Sequence, residues 1–439
     1  METIITQLKA LPEEIKVGIT GIGSMGKGLA FQCHITPGFR PAAISNRNLA
    51  KAEGCAKWLG VTYEIVDTVS ELNSAIARKV LAVCDDCSLV CSSEEIDVLI
   101  ESTNDPLAGA KHALKAIEYN QHIVMMNHEA EVMYGPLIMK KAEEKGLIYT
   151  VADGDQPASM KILIDDLAFY GFDLVMAGNI KGYLDRYTNP AKIAPEADKR
   201  SLDHKMTSSF TDGSKLCVEM SVIANALDLR TPVPGMYGHR MDHINDIFKH
   251  YDFDSLYEDK KPVVDYILGA QPKGGVFAVG YTDKEYQQFT LDWFPVDMGS
   301  GPYYLFYRPY HLRHIEALKC VAEAILYGNS RLKPKYGIKT NVFCYAKENL
   351  KQGDKIDGAG GFACYGLIEN LEDFGEDGVP ICIAEDVVLK KDYKKDERIL
   401  MKDVDFQSQS EAFELYFETL KIKGDIKMEY PFASQEVLY

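Results

Sequence analysis

The sequence predicts an α/β protein: an N-terminal Rossmann-type doubly wound parallel sheet, a second α+β domain and a small β-rich C-terminal domain. Three observations carry this. Between Ile15 and Thr150, apolar runs of strand length alternate with segments of helical period, the pattern of βαβ units on a parallel sheet. A glycine-rich turn, Gly21-Ile22-Gly23-Ser24-Met25-Gly26, stands between the first run and the first helix. The chain has 439 residues, 46% of them hydrophobic and 26% charged, enough for two or three domains with full cores.

In order, the strands KVGITGIG, RPAAISN, IDVLIEST, HIVMMN and LIYTVAD alternate with the helices GKGLAFQCH, LAKAEGCAKWLG, AGAKHALKAIEYN and YGPLIMKKAEEKG. They define a nucleotide domain over residues 1–155. From Gln156 the spacing changes to an amphipathic segment, PASMKILIDDLAFYGF, then a strand, LVMAGNIKGYL, and a polar loop, TNPAKIAPEADKRSLDHK. Aromatic-rich strands follow (GGVFAVGYTD, QQFTLDWFPV, YYLFYRPY), then a helix, LRHIEALKCVAEAILYG. This second, catalytic and substrate-binding domain spans 156–334, with the helix over 312–327 able to pack back on the nucleotide domain. After Pro334, short β-type runs divided by Gly and Asp give a third domain over 335–439, ending in a helix and an arm suited to dock on a neighbouring subunit.

Charge and cysteine usage exclude several classes. With 48 basic and 65 acidic side chains the net charge is −17, and without a concentrated basic run such a chain repels nucleic acid. No apolar stretch approaches the ~18 residues of a membrane helix, and no signal-peptide pattern opens the chain. The ten Cys lie mostly in apolar runs, as in a cytoplasmic, reducing compartment. Cys84, Cys87 and Cys91 start like a metal site but lack a nearby fourth ligand.

The glycine turn follows a strand and opens a helix, the context in which G-x-G-x-x-G signals a dinucleotide. Gly21 permits the turn, Gly23 the approach of a pyrophosphate, and Gly26 close packing, with Ser24 and Met25 at the helix N-terminus. After the second strand the sequence reads Ser45-Asn46-Arg47-Asn48. The Asp or Glu that would accept from an NAD ribose is missing, and Arg47 beside Asn46 suits a 2′-phosphate, so NADPH is the expected cofactor. Ser102, Thr103, Asn104 and Asn127 stand at the ends of later strands, where the nicotinamide would lie.

The segments IDVLIEST, QHIVMMNHE, GNIKGYLDRYTNP and TDGSKLCVEMSVIANAL resemble the homoserine dehydrogenase-like proteins that carry a C-terminal SAF domain. Within that group the chain is similar to bacterial 1-deoxy-D-xylulose 5-phosphate reductoisomerase-like enzymes, over roughly residues 15–405. In homoserine dehydrogenases an Asp stands four residues before a catalytic Lys on a helix after a Gly. Here Lys215 comes first and Glu219 second, still at i,i+4, and hydride transfer to or from homoserine is put in doubt. The pair reads either as acid and base or as a surface ion pair. The family's post-strand Lys is His128 here, able to shuttle a proton near neutral pH.

Asp153 and Asp155 crowd one turn, where they either cap a helix or hold a divalent cation such as Mg2+ or Mn2+. Lys181 ends a strand, placed to polarise a carbonyl or bind phosphate, or simply to reach solvent. The turn around Ser300, with Arg308 and His311, could cradle an anionic substrate. The resemblance implies an NADPH-dependent reductoisomerase of isoprenoid biosynthesis, acting on a small phosphorylated ketose and assembled as a homo-oligomer, a dimer or tetramer. The alternatives are a homoserine- or sugar-acid-type dehydrogenase without rearrangement and, from another class, a non-catalytic NADP(H) sensor.

Overall fold

The computed structural model describes residues 3–199, 202–293 and 297–424; the greater part of the expected C-terminal arm, 425–439, lies outside them. The chain divides into two compact units, one of residues 1–158 with 312–333 and the other of 159–311 with 334–439. Residues 335–439 thus fall in the same unit as 159–311, and the segment 312–333 falls with the nucleotide-type sheet.

The first unit is built on seven parallel strands: β1 (Ile15–Thr20), β2 (Phe39–Ser45), β3 (Tyr63–Ile65), β4 (Leu81–Cys84), β5 (Val98–Glu101), β6 (His122–Met125) and β7 (Tyr149–Val151). Their order is β3-β4-β2-β1-β5-β6-β7, so the direction of winding reverses between β1 and β5. Ligands bind at such a switch point, outside the C-terminal strand ends. Helices α1 (Ile4–Lys9), α2 (Ser24–Ile35), α3 (Leu49–Leu59), α4 (Val69–Ala77), α5 (Cys87–Cys91), α6 (Pro106–Glu118) and α7 (His128–Glu144) flank the sheet. β4 and β5 are buried throughout, which is why such strands read as continuous apolar runs rather than as alternations. The region 61–95, unassigned from sequence, supplies β3, α4, β4 and α5.

Helix α8 (Gln156–Phe169) carries the boundary between the units. The second unit holds a four-stranded sheet of β8 (Asp173–Lys181), β9 (Val263–Leu268), β10 (Val276–Tyr281) and β11 (Tyr303–Arg308), in the order β11-β10-β8-β9. One face packs on helices α12 (Ile247–His250) and α13 (Phe253–Leu256), where Met176, Ile180, Ile267, Phe277 and Val279 bury with Ile247 and Phe253. Helix α11 (Ser214–Leu227) is buried along almost its whole length. It lies against β12 (Thr340–Ala346) and β13 (Cys364–Asn370), with Ser214 Oγ accepting from the Gly366 N–H at 2.8 Å and Asn225 Nδ2 donating to the Thr340 carbonyl at 3.1 Å.

Two local expectations are corrected. The supposed polar loop after Thr188 contains α9 (Pro190–Lys199) and leads to α10 (His204–Asp212). Pro190 at the first helical position and Asn189 Oδ1, accepting from the Lys192 N–H at 3.0 Å, are ordinary helix starters that polarity masked. The supposed strand QQFTLDWFPV is α14 (Glu285–Trp293) up to Trp293, and 294–296 lie outside the described residues. Its aromatics Tyr286, Phe289 and Trp293 recur at helical spacing and are exposed. Helix α15 (Leu318–Tyr327) belongs to the first unit; α16 (Leu371–Phe374), β14 (Val388–Leu389), β15 (Val404–Asp405) and α17 (Ser410–Leu420) complete the second.

Candidate active site

The three glycines of the first turn differ in what surrounds them. Gly21 sits at φ +88°, and a Cβ there would stand 2.7 Å from the Ser102 carbonyl. A Cβ on Gly26 would stand 2.2 Å from the Gly21 carbonyl oxygen, so both are sealed against backbone. Gly23 is the opposite case: among the described residues a Cβ on it would meet nothing within 4 Å. It precedes α2, whose N-terminus has no side-chain cap, and an uncapped helix N-terminus with room beside it is what a diphosphate requires. Ser24 is exposed and Met25 half-buried beside it.

After β2, Arg47 is exposed, next to Asn46, whose Oδ1 accepts from the Asn48 N–H at 2.9 Å. The Asn46 N–H donates to the Cys84 carbonyl at 3.2 Å, bringing the exposed Asp85 and Asp86 to the same strand end. Burial raises the Cys87 thiol, against the lowering effect of the Ser45 hydroxyl, and the Glu101 and Asp86 carboxylates raise it further. Cys84, Cys87 and Cys91 are buried. Among the described residues, no group of three or more His, Cys, Asp or Glu stands where it could hold a metal ion.

At the end of β5, Ser102 Oγ donates to the carbonyls of Thr20 (2.8 Å) and Gly21 (3.1 Å), tying this loop to the glycine turn. Thr103 is partly exposed and Asn104 exposed. Asn127 caps α7 by accepting from the Ala130 N–H at 3.0 Å and donates to the Asp105 carbonyl at 3.0 Å. His128 is fully buried, with Nε2 3.9 Å from Asp155 Oδ2. Sequence reasoning passed over Glu101, a fully buried carboxylate whose signal was a charge closing the apolar run VLIE. It also passed over His112, 3.3 Å from Glu101 Oε1.

Asp153 is 1% exposed, with Oδ1 3.1 Å from Arg331 Nε, a guanidinium that also grips Glu323 at 2.6 Å. Burial pushes the Asp153 carboxyl up to about 6 although Arg331 pulls it down. The carboxylate thus faces a cation of its own unit.

In the second unit, β10 runs antiparallel to both β8 and β11 while β8 and β9 are parallel. Lys181, Leu268 and Arg308 therefore end their strands at one sheet edge. Register pairs Asn179 with Val276 and Val276 with Arg308, so the two-residue period puts Asn179, Lys181 and Arg308 on one face. Arg240, which sequence reasoning missed because its segment has no periodicity, joins this edge. It bridges to Leu268, and Gly269, whose N–H donates to the Lys181 carbonyl at 2.7 Å, leaves Arg240 Nη1 3.1 Å from where a Cβ would lie. The start of α11, with the partly exposed Lys215 and buried Glu219 on one helix face, lies beside the segment following Lys181. The Asp185 N–H donates to the Thr211 carbonyl at 2.8 Å, and Leu184 fills the space a Cβ on Gly213 would need.

Ser300 is not brought to this edge, contrary to expectation. It precedes β11 whereas Arg308 ends it, so the two lie toward opposite ends of the strand. His311 follows Arg308 by three residues, and the Arg308 guanidinium lies over the Tyr310 ring at 4.4 Å.

A family model described as the catalytic domain of oxidoreductase DRL matches residues 154–317, over a third of the chain and the part that holds Lys181, Lys215, Glu219 and Arg308. No curated protein matches. Among solved structures, an NAD-binding oxidoreductase from Klebsiella pneumoniae aligns at 16% identity and TM-score 0.29, covering 40% of this chain and 45% of that one. The chain thus spans less than half the length of the Klebsiella protein. 1-Deoxy-D-xylulose 5-phosphate reductoisomerase from Zymomonas mobilis, in complex with NADPH, aligns at 15% identity and TM-score 0.37, covering 74% and 84% of the two chains. A probable dehydrogenase from Thermotoga maritima aligns at 12% identity and TM-score 0.38, covering 72% and 90%. A match to an oxidoreductase catalytic domain over residues 154–317 thus stands beside a Rossmann-type sheet in this chain. No helix among the described residues is long and apolar enough to cross a membrane.

Proposed function

We propose that the chain uses NADPH to reduce a small anionic carbonyl compound. The open position at Gly23, between two glycines sealed against backbone, carries the cofactor part of this reading. The N–H groups at the start of α2 bind the diphosphate, Arg47 the 2′-phosphate, and the loop of Ser102, Thr103 and Asn104, with Asn127, holds the nicotinamide end. Hydride is the chemistry the cofactor supplies. The chain's own part is to hold the substrate's anionic group with Lys181, Arg240 and Arg308 and to move a proton at its carbonyl oxygen with Lys215 and Glu219. His128, beside Asp155, shuttles a proton on the nucleotide side, and Asp153 is assigned to holding Arg331.

The resemblance in the sequence supports the finer reading: a ketose phosphate like 1-deoxy-D-xylulose 5-phosphate, rearranged before reduction by a homo-oligomeric enzyme with an SAF-like end. Following NADPH absorbance against a panel of ketose phosphates and hydroxy-acid precursors, with and without Mg2+ or Mn2+, tests it. Turnover that falls about 100-fold or more in Lys215→Met with unchanged NADPH affinity is expected of a positioned proton donor. A near-wild-type rate removes Lys215 from the chemistry. A second reading, an NAD(H)-linked dehydrogenase without rearrangement, is favoured by Asp85 and Asp86 at the end of β4, which could accept from ribose hydroxyls. Preference for NADH over NADPH would establish it.

A further inference from the structure

We propose that Glu101 is a positioning residue whose buried charge biases the cofactor site toward the oxidised nicotinamide; this rests on the cofactor reading above. Glu101 ends β5, beside β1 at the switch point. The next residue, Ser102, bonds the Gly21 carbonyl through Oγ at 3.1 Å. The side chain is fully buried and organises the loop expected to meet the nicotinamide. Oε1 accepts from the Thr103 N–H at 3.2 Å and from the Thr103 hydroxyl, and lies 3.3 Å from His112 Nδ1.

Among the described residues the other oxygen, Oε2, is buried without a hydrogen-bond partner. Room for it comes from Gly109 of α6, where a Cβ would stand 2.9 Å from Oε2 and 2.8 Å from Asn127 Nδ2. The carboxylate is therefore wedged between the two loops, after β5 and β6, that carry Thr103 and Asn127.

A glutamine could accept the same Thr103 donors without the desolvation cost that a buried charge carries. The charge itself then needs a counter-charge. Within the unit His112 supplies one when protonated; from outside, the oxidised nicotinamide is a cation and the reduced ring is neutral. A buried carboxylate is poorly screened, so it favours NADP+ over NADPH, and His112 competes for it.

The experiment is a fluorescence and calorimetric titration of the full chain with NADP+ and NADPH separately, comparing wild type, Glu101→Gln and His112→Gln. The ratio of NADP+ to NADPH affinity is expected to fall about fivefold or more in Glu101→Gln, within the usual range of coupling between sites, and to rise in His112→Gln. A purely structural Glu101 would weaken both forms alike and leave the ratio fixed, which overturns the inference. Failure of the wild-type chain to bind either form overturns the cofactor reading along with it.

Discussion

At the end of β5, Glu101 is held by groups of its own loop and by His112, with one oxygen left without a donor; just past β7, Asp153 faces the guanidinium of Arg331 at 3.1 Å. Both carboxylates are buried, and both sit at C-terminal strand ends of one sheet. Arg331 comes from residues 312–333, which return to this unit after the excursion through the second, and Thr150 Oγ1 accepts from its N–H at 3.0 Å. The contrast separates two uses of a buried charge. Hydrogen bonding does not separate them, since among the described residues neither Asp153 oxygen has a hydrogen-bond partner either. Ion-paired with an arginine on a returning segment, Asp153 fastens the fold, whereas Glu101, next to the glycine turn with His112 as its basic neighbour, is placed to act on a ligand.

The largest expected effect breaks the β7 side of the contrast. Arg331→Leu strands Asp153 as an uncompensated charge and should cost about 3–5 kcal/mol in unfolding free energy. A loss below about 1 kcal/mol would mean that the pair does not fasten the returning segment. The next effect falls on the cofactor side. Arg47→Ala should weaken NADPH by about 1–3 kcal/mol, the worth of a charge-assisted contact, with little change for NADH. Equal losses would remove Arg47 from the 2′-phosphate.

Stability against pH sharpens the comparison further. Asp153 is raised to about 6 and Glu131, which accepts from the Tyr149 hydroxyl, to about 8, both chiefly by burial. An acid raised in the folded state contributes stability that is fully present below the ordinary carboxylate range and is lost as pH rises through its folded value. Denaturant midpoints should therefore fall as pH rises from 4 toward 8, with a slope of up to about 1.4 kcal/mol per pH unit for each proton. Asp153→Asn should flatten the lower part, up to about 6, and Glu131→Gln the upper part, to about 8. A profile unchanged in both variants would contradict the assignment. The smallest effect is expected at Glu101→Gln, which keeps an acceptor for Thr103 and should alter stability by less than about 1 kcal/mol.

The nucleotide-type sheet was legible because doubly buried parallel strands make continuous apolar runs and because the three glycines stand in one turn. β3 was not, since Tyr63–Ile65 is three residues long with none buried; nor was β4, whose four residues gave no period. In the second unit, aromatic content suggested a strand where Tyr286, Phe289 and Trp293 in fact mark one side of a helix. Closeness in sequence joined Ser300 to Arg308, although a strand runs between them. Glu101 and Arg240 were missed for related reasons. The first is a charge closing an apolar run, and the second lies in a segment whose position depends on pairing beside β9.

The central claim is that the turn at Gly23 admits a dinucleotide. Gly23 has φ −91° and ψ −154°, a conformation alanine also adopts, and its Cβ would meet no atom within 4 Å among the described residues. Gly23→Ala should therefore leave the unfolding midpoint within about 0.5 kcal/mol of wild type. It should also weaken NADPH binding, followed by nicotinamide fluorescence, by about tenfold or more, since the added methyl occupies the space the pyrophosphate needs. Equal NADPH affinity in the two equally stable proteins would contradict the claim.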